Sequence, residues 1–249
     1  MKNLSNQIRV VYEDNHLLAV FKPACMLVQG DITGDLSLLD WAKDMIRNKY
    51  HKKGRVFIGL VHRLDRPTSG IILFARTSKA AARLSQQFRR RSVEKTYWAV
   101  VAGRLLPPMG ELRAYLKRTK NRSSISSPGH KSAKNAMLHY RSIAFKEGLA
   151  LLEIRLVTGR HHQIRAQLAA KGHPILGDLK YGSQRRLPNG QIALLAKSLT
   201  CLHPTRPTKI TFQSPIPNHE IWRFPRLRKL PDGSARSHRP EHRTLINAP

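Results

Sequence analysis

The chain has 249 residues, enough for one large domain or two small ones. Lysine and arginine number 45 against 15 aspartates and glutamates, a net charge of +30, and 41% of the residues are hydrophobic. Such a core-forming fraction excludes wholesale disorder, and no apolar run approaches the roughly 18–20 residues of a membrane span, which excludes an integral membrane protein.

Ile8 to Phe21 reads as two strands around a turn, with IRVVY and LLAVF flanking Glu13-Asp14-Asn15. Residues 22–36 hold Pro23, Gly30 and Gly34 and read as loop. Ser37 is placed to cap a helix, with Asp40 three residues on and Leu38, Trp41, Ala42 and Met45 on one face. GIILFAR at 70–76 reads as a buried strand. Thr77 or Ser78 then caps a helix that buries Ala81, Leu84 and Phe88 and ends in Arg89-Arg90-Arg91, where cations suit the C-terminus. KTYWAVV at 95–101 is a strand that sends Tyr97 and Trp98 to opposite faces. Residues 113–134 carry Arg113, Lys117, Arg118, Lys120, Arg122, Lys131 and Lys134 and no acid, and read as a basic hairpin or flap. LALLEIRLV at 149–157 alternates as a strand, His161 to Lys171 reads as a short helix ended by Gly172, and KITF at 209–212 as a late strand. Residues 226–249 carry six basic side chains against Asp232 and Glu241, with three prolines, and read as a disordered basic tail. No composition break marks a linker. The expected organisation is one α+β domain over residues 8–225, with the 113–134 flap inserted in it.

An excess of +30 repels itself unless a polyanion neutralises part of it, so nucleic acid is the leading partner. An anionic membrane surface usually needs a basic amphipathic helix or a lipid anchor, and neither is found. Cys25 and Cys201 cannot build a disulfide scaffold, and their spacing suggests no zinc site. That fits a reducing, cytoplasmic setting. The first residues lack the apolar core of a signal peptide, and Glu13 and Asp14 argue against a transit peptide.

Three clusters carry chemistry. In His62-Arg63-Leu64-Asp65-Arg66-Pro67-Thr68-Ser69-Gly70 a single carboxylate lies between two arginines on a loop that feeds a buried strand. Asp65 is either a catalytic group held ionised by its neighbours or a turn residue bonded to its own backbone. In Thr158-Gly159-Arg160-His161-His162-Gln163-Ile164-Arg165 a strand closes and a helix opens. Arg160 and Arg165 suit an anion there, or form a solvated basic turn. His161 and His162 have no ligand-spaced partners, so no metal is expected. In Glu94-Lys95-Thr96-Tyr97-Trp98-Ala99 an aromatic can stack a nucleobase, or both rings are core. Triphosphate, dinucleotide and metal motifs are missing.

Together these clusters resemble the RluA-type pseudouridine synthases. The likeness rests on His-Arg-Leu-Asp-x-x-Thr-Ser-Gly at 62–70, Lys-x-Tyr-x-Ala at 95–99 and Thr-Gly-Arg-x-His-Gln-Ile-Arg at 158–165. It continues through Gly172–Asp178, Tyr181-Gly182, Lys22-Pro23-Ala24 and His203-Pro204, and so runs from about Ile8 to Pro217. The resemblance implies one catalytic domain on a bent mixed, largely antiparallel β-sheet flanked by helices and loops. It implies conversion of uridine to pseudouridine in ribosomal or transfer RNA, without metal or organic cofactor, by a monomer. It gives Asp65 the essential carboxylate, as nucleophile at C1′ or as base at C2′. Arg165 becomes its ion-pair partner, and Tyr97 the ring that stacks on the base and takes the C5 proton. Arg63 helps expel the base from its helix, while Arg160, His162 and Gln163 bind substrate.

Three departures stand out. Cys25 occupies a position where the family often has glycine, so a glycine-dependent turn is expected to be reshaped. His161 stands where threonine is usual and is expected to be exposed and neutral for chemistry. No S4-type RNA-binding domain is expected ahead of a first strand that begins by Ile8. The alternatives are a non-catalytic RNA-binding protein on the same fold and an N-glycosidic hydrolase using Asp65.

Overall fold

The computed structural model describes residues 4–224 and 236–237. In chain order the elements are β1 (Arg9–Glu13), β2 (Leu17–Lys22), α1 (Leu38–Lys49), β3 (Gly59–Leu60), β4 (Ser69–Ala75), α2 (Ser78–Arg89), β5 (Glu94–Ala102), β6 (Met109–Arg118), β7 (Ser123–Ser126), β8 (Ala133–Lys146), β9 (Leu149–Leu156), α3 (Gln163–Ala170), β10 (Leu194–Leu202), β11 (Lys209–Gln213) and β12 (Arg236–Ser237). The main sheet runs β1-β2-β4-β10-β5-β9-β8-β6-β7, with β3 on β4 and β11 on β10. The β4–β10 pair is parallel, and the other pairs are antiparallel. This is the expected mixed, largely antiparallel α+β architecture. Among the described residues no helix is long and apolar enough to cross a membrane.

Strand period explains how the helices attach. β2 and β4 are buried at every position. Leu18, Val20, Ile72 and Phe74 point to one face and pack with Leu38, Ala42 and Ile46 of α1. Leu17, Ala19, Ile71 and Leu73 point to the other and pack with Ala80 and Leu84 of α2. A strand covered on both faces reads as a continuous apolar run, which GIILFAR does. Both helices start where capping chemistry places them. Ser37 Oγ accepts the Asp40 amide and donates to its carboxylate, and Thr77 Oγ1 accepts the Ala80 amide.

Three strands differ from expectation. β10 lies at the centre of the sheet yet was not legible, because the register slips between Ala196 and Ser198 and breaks its alternation. In β8 Ala136, Leu138 and Tyr140 are buried, alternating with Met137, His139 and Arg141. β6 is similarly diluted, burying Leu112 and Leu116 amid charge. The basic segment is a hairpin of β6 and β7, closed around Thr119–Arg122 by hydrogen bonds from the Thr119 amide and hydroxyl to the Arg122 carbonyl. The expected disordered tail at 226–249 lies outside the described residues, apart from Arg236–Ser237, which pair with Thr211 and Ile210.

The loop between β3 and β4 is fixed from beneath by Lys22. Its Nζ is fully buried and donates to the carbonyls of Pro23, Met26 and Arg66 at 3.0, 2.9 and 3.0 Å. Burial pulls its pKa down to about 7. The amide of Cys25 also donates to the Arg66 carbonyl, at 2.8 Å. Cys25 itself takes the left-handed conformation, φ 68°, which glycine adopts at less steric cost. Gly70, at φ +124°, has no such freedom to change: a Cβ there would collide with the Ala196 backbone of β10. His62 Nε2 accepts the Leu73 amide at 2.9 Å, and its ring stacks on Phe88. Burial, assisted by the charge of Lys95, lowers the His62 pKa to about 3.

Two predictions concern stability. Lys22→Met leaves the Pro23 and Met26 carbonyls without their donor and the Arg66 carbonyl with the Cys25 amide alone, and should destabilise the fold by about 1–3 kcal/mol in urea unfolding. An unchanged midpoint would mean those carbonyls find other partners. The second is a pH effect. The unfolded chain protonates His62 near 6.5, while the folded protein resists until about 3. Between these values the unfolded state binds more protons, so stability is present above pH 6.5 and is lost as pH falls. The melting temperature should therefore drop between pH 6.5 and 4, and less so in His62→Gln, whose amide accepts from Leu73 but takes no proton. Equal slopes in the two proteins would remove His62 from the effect.

Candidate active site

The seven residues singled out in the sequence line one cavity of about 610 Å³: Arg63, Asp65, Tyr97, Arg160, His162, Gln163 and Arg165. Three segments meet there. The β3–β4 loop brings Arg63 and Asp65, β5 brings Tyr97, and the β9–α3 junction with the start of α3 brings the rest. A larger hollow of about 1620 Å³ opens behind the same loop, past Cys25 and Arg66. Its Arg66–Asp35 ion pair is solvent-exposed, so the buried charges belong to the smaller cavity.

Asp65 does not behave as a simple turn residue. Its backbone carbonyl accepts the Thr68 amide, closing the turn, while its carboxylate turns away to Arg165. Arg165 Nη1 lies 3.2 Å from Asp65 Oδ2. The guanidinium is more tightly held on its other edge. Nε donates to Asp178 Oδ2 at 2.7 Å and Nη2 to Asp178 Oδ1 at 2.9 Å, a bidentate fork. Asp178 is 1% exposed and the Arg165 side chain 5%, so this pair is out of water. Burial works against the Arg165 charge, but the two carboxylates outweigh it and raise the pKa above the ordinary arginine value. Asp178 was not singled out in the sequence. Gly177 delivers it: φ is +87°, and a Cβ would meet the Gln191 carbonyl.

Tyr97 and Trp98 do part to opposite faces. Trp98 is buried, whereas Tyr97 faces the cavity. Burial, with the negative charge of Asp65 second, pushes the Tyr97 pKa up, so the phenol stays protonated. Thr68, 2% exposed, also lines the cavity, and its hydroxyl has no partner among the described residues. A buried hydroxyl left this way is a place for a polar group of a ligand.

The β9–α3 junction holds the other groups. Gln163 is buried with both ends of its amide used within the protein: Oε1 accepts from Thr158 Oγ1 and the Arg160 amide, and Nε2 donates to the Met137 carbonyl. Arg160 Nε donates to the Asn135 carbonyl. His162 takes φ 52° as the residue before α3, and its Nε2 lies 3.5 Å from Asp65 Oδ2. Burial and the nearby Arg165 charge lower its pKa to about 3, so the ring is neutral. His161 is not the exposed residue expected. It is half-buried, stacks on His162 at 3.8 Å and meets Ser123 Oγ at 3.0 Å. No cluster of three or more His, Cys, Asp or Glu side chains among the described residues could hold a metal ion. Around the mouth stand Arg63, Arg89, Arg91, Lys95, Arg118 and Arg160, a cationic rim over a negative centre.

Comparison with known proteins identifies the family and the fold. Residues 16–170 match the family model described as RNA pseudouridylate synthase. An uncharacterized RNA pseudouridine synthase of Bacillus subtilis, YhcT, is 35% identical over 216 residues, covering 85% of this chain and 69% of that one. Ribosomal large subunit pseudouridine synthase D of Zymomonas mobilis is 34% identical over 84% of this chain and 69% of its own. Ribosomal large subunit pseudouridine synthase C of Rickettsia conorii is 34% identical over 78% of this chain and 62% of its own. The chain thus spans roughly two thirds of the length of these relatives. Among solved structures, human RNA pseudouridylate synthase domain containing 4 superposes with a TM-score of 0.72 over 87% of this chain and 91% of that one. At 22% identity it speaks for the fold alone. With the family model over most of its sheet and relatives at these identities, this chain belongs to the RNA pseudouridylate synthase family, of the RluA type.

Proposed function

We propose that the protein isomerises specific uridines of ribosomal or transfer RNA to pseudouridine, acting as a cytoplasmic monomer with Asp65 as its essential carboxylate. The observation that carries this reading is the carboxylate of Asp65, aimed into a cation-rimmed cavity by an arginine that is itself anchored by Asp178. The names of the Rickettsia and Zymomonas relatives make large-subunit ribosomal RNA the first substrate to test.

The chemistry suits the groups present. The N1–C1′ bond breaks, the uracil turns, and C5 bonds to C1′. The C5 proton is lost and N1 gains one. Every other atom is conserved and nothing is oxidised, so no co-substrate is needed. Asp65 either attacks C1′ or removes the C2′ proton, and either step needs a charged oxygen shielded from water. Arg165 holds that oxygen. Tyr97, protonated and ring-first to the cavity, stacks on the extruded base. Reaching a base inside folded RNA requires flipping it out, and in this reading Arg63, which lines the cavity, helps expel the base. Arg160 and the other rim cations meet phosphates, which position the RNA without reading its sequence. Gln163 has no free polar end, so its part is to shape the β9–α3 junction rather than to touch RNA.

Asp65→Asn should leave RNA affinity within a few-fold and lower tritium release from RNA carrying 5-tritiated uridine by at least about 1000-fold. Substantial turnover by this variant would remove Asp65 from the proposed role, and free uracil from the wild type would point to hydrolysis instead. Asp178→Asn breaks the fork on Arg165. It should destabilise by about 3–5 kcal/mol, because a buried guanidinium loses its partner charge. Where still folded, it should lower the saturated rate by about 10–100-fold, with little change in KM. A wild-type rate would show that Asp65 is aimed without Arg165.

A further inference from the structure

Tyr181 lies three residues beyond Asp178, in a short helical turn, and is 5% exposed. It matches the family pattern, but the mechanism above gives it no task. Its ring sits between two guanidinium groups: the Arg165 Cζ is 5.0 Å from the ring centroid and the Arg122 Cζ 4.8 Å. Arg165 belongs to the site. Arg122 belongs to the turn of the basic β6–β7 hairpin.

The hydroxyl makes the same link by hydrogen bonds. The Ser123 amide donates to Tyr181 Oη at 2.8 Å, His162 Nδ1 lies 2.9 Å away and the Ser123 carbonyl 3.1 Å. Two further contacts clamp the hairpin here. Lys180 Nζ donates to the Asn121 carbonyl at 3.1 Å, and Ser123 Oγ meets His161 Nδ1 at 3.0 Å.

Counting protons assigns the direction of these bonds. The phenol has one proton and two neighbouring acceptors. His162 is neutral and has one ring proton. Its Nε2 faces the Asp65 carboxylate at 3.5 Å. A lone pair aimed at a carboxylate repels it, so the proton sits on Nε2. Nδ1 is then an acceptor, and the Tyr181 hydroxyl gives its one proton to Nδ1 at 2.9 Å in place of the Ser123 carbonyl at 3.1 Å. With the opposite ring tautomer, His162 would push Asp65 away.

We infer that Tyr181 is a positioning residue, joining the tip of the basic hairpin to His162 and fixing the tautomer that donates toward Asp65. The inference rests on the reading of Asp65 as the reacting carboxylate. It makes the hairpin more than an electrostatic grip. RNA that seats on the hairpin bears on the same hydroxyl that orients the groups around Asp65.

The test has two parts. The first needs no substrate. Nitrogen-15 shifts of the His162 ring in the full chain should report the Nε2–H tautomer in the wild type and a mixture in Tyr181→Phe. An Nδ1–H ring in the wild type overturns the inference whatever the activity. The second part uses large-subunit ribosomal RNA transcript carrying 5-tritiated uridine, under single turnover. Tyr181→Phe keeps the ring between the arginines and should lower the saturated rate by about 10–100-fold, with the half-saturating concentration within about threefold. Glutamine at position 162 has no tautomers. In the His162→Gln background, Tyr181→Phe should therefore cost less than about twofold more. A wild-type rate for Tyr181→Phe, additive losses in the double variant, or a loss confined to half-saturation each overturns the inference. If the wild type releases no tritium from ribosomal or transfer RNA, the proposed function fails, and the nitrogen shifts still decide the tautomer.

Discussion

One guanidinium shared by two carboxylates organises this cavity. Arg165 could not be buried alone, since removing a cation from water costs several kcal/mol. Asp178 offsets most of that cost by taking two of its donors in a planar fork. The third donor, Nη1, is left pointing at Asp65 at a longer distance. The asymmetry is useful. A carboxylate satisfied by a full fork would be inert, whereas Asp65 keeps an oxygen that faces open space. The tight pair sets direction, and the loose pair leaves reactivity.

That arrangement needs both backbones to hold still. On one side α3 is pinned: Gln163 is spent on the β9–α3 junction, and Gln167 Nε2 donates to the Leu112 and Ala136 carbonyls of β6 and β8. On the other side Lys22 and the Cys25 amide converge on the Arg66 carbonyl, one residue past Asp65. The loop bearing the carboxylate is thereby tied to β2, and through Gly70 it runs against β10 with no room for a side chain. Buried side chains that donate to backbone carbonyls act as fixed struts, which is how a loop attains the rigidity of a sheet.

What was legible in the sequence follows from how local each signal is. Ser37 and Thr77 announce their helices because a cap and the helix it starts are neighbours in the chain. GIILFAR announces β4 because burial on both faces needs no partner to be recognised. The Asp65–Arg165 pairing spans 100 residues and entered through resemblance, since nothing local ties the two. Asp178 entered only as the last residue of the matched stretch Gly172–Asp178, and nothing local gave it a charge partner. β10 was lost for another reason. Its bulge sets Lys197 over the Trp98 ring and interrupts the alternation that marks a strand. His161 looked exposed because the hairpin that covers it is brought there by tertiary packing.

The overall charge gains a physical sense from this layout. A net +30 spread evenly would oppose folding through self-repulsion. Many of the few acids are paired within the fold. Glu13 binds Lys49 and Arg76, Asp14 binds His203, and Glu153 binds Arg141. Among the described residues, Arg63, Arg89, Arg91, Lys95, Arg118 and Arg160 form no such ion pair, and they gather around the cavity. The β6–β7 turn, which carries Arg122, rests on Tyr181, and the Tyr181 ring also lies under the Arg165 guanidinium of the buried ion-pair cluster. Long-range attraction and short-range aim therefore converge on the same few residues. On the proposed reading, phosphate binding and carboxylate aim share one structure, because Arg118 of the hairpin lines the same cavity as Asp65.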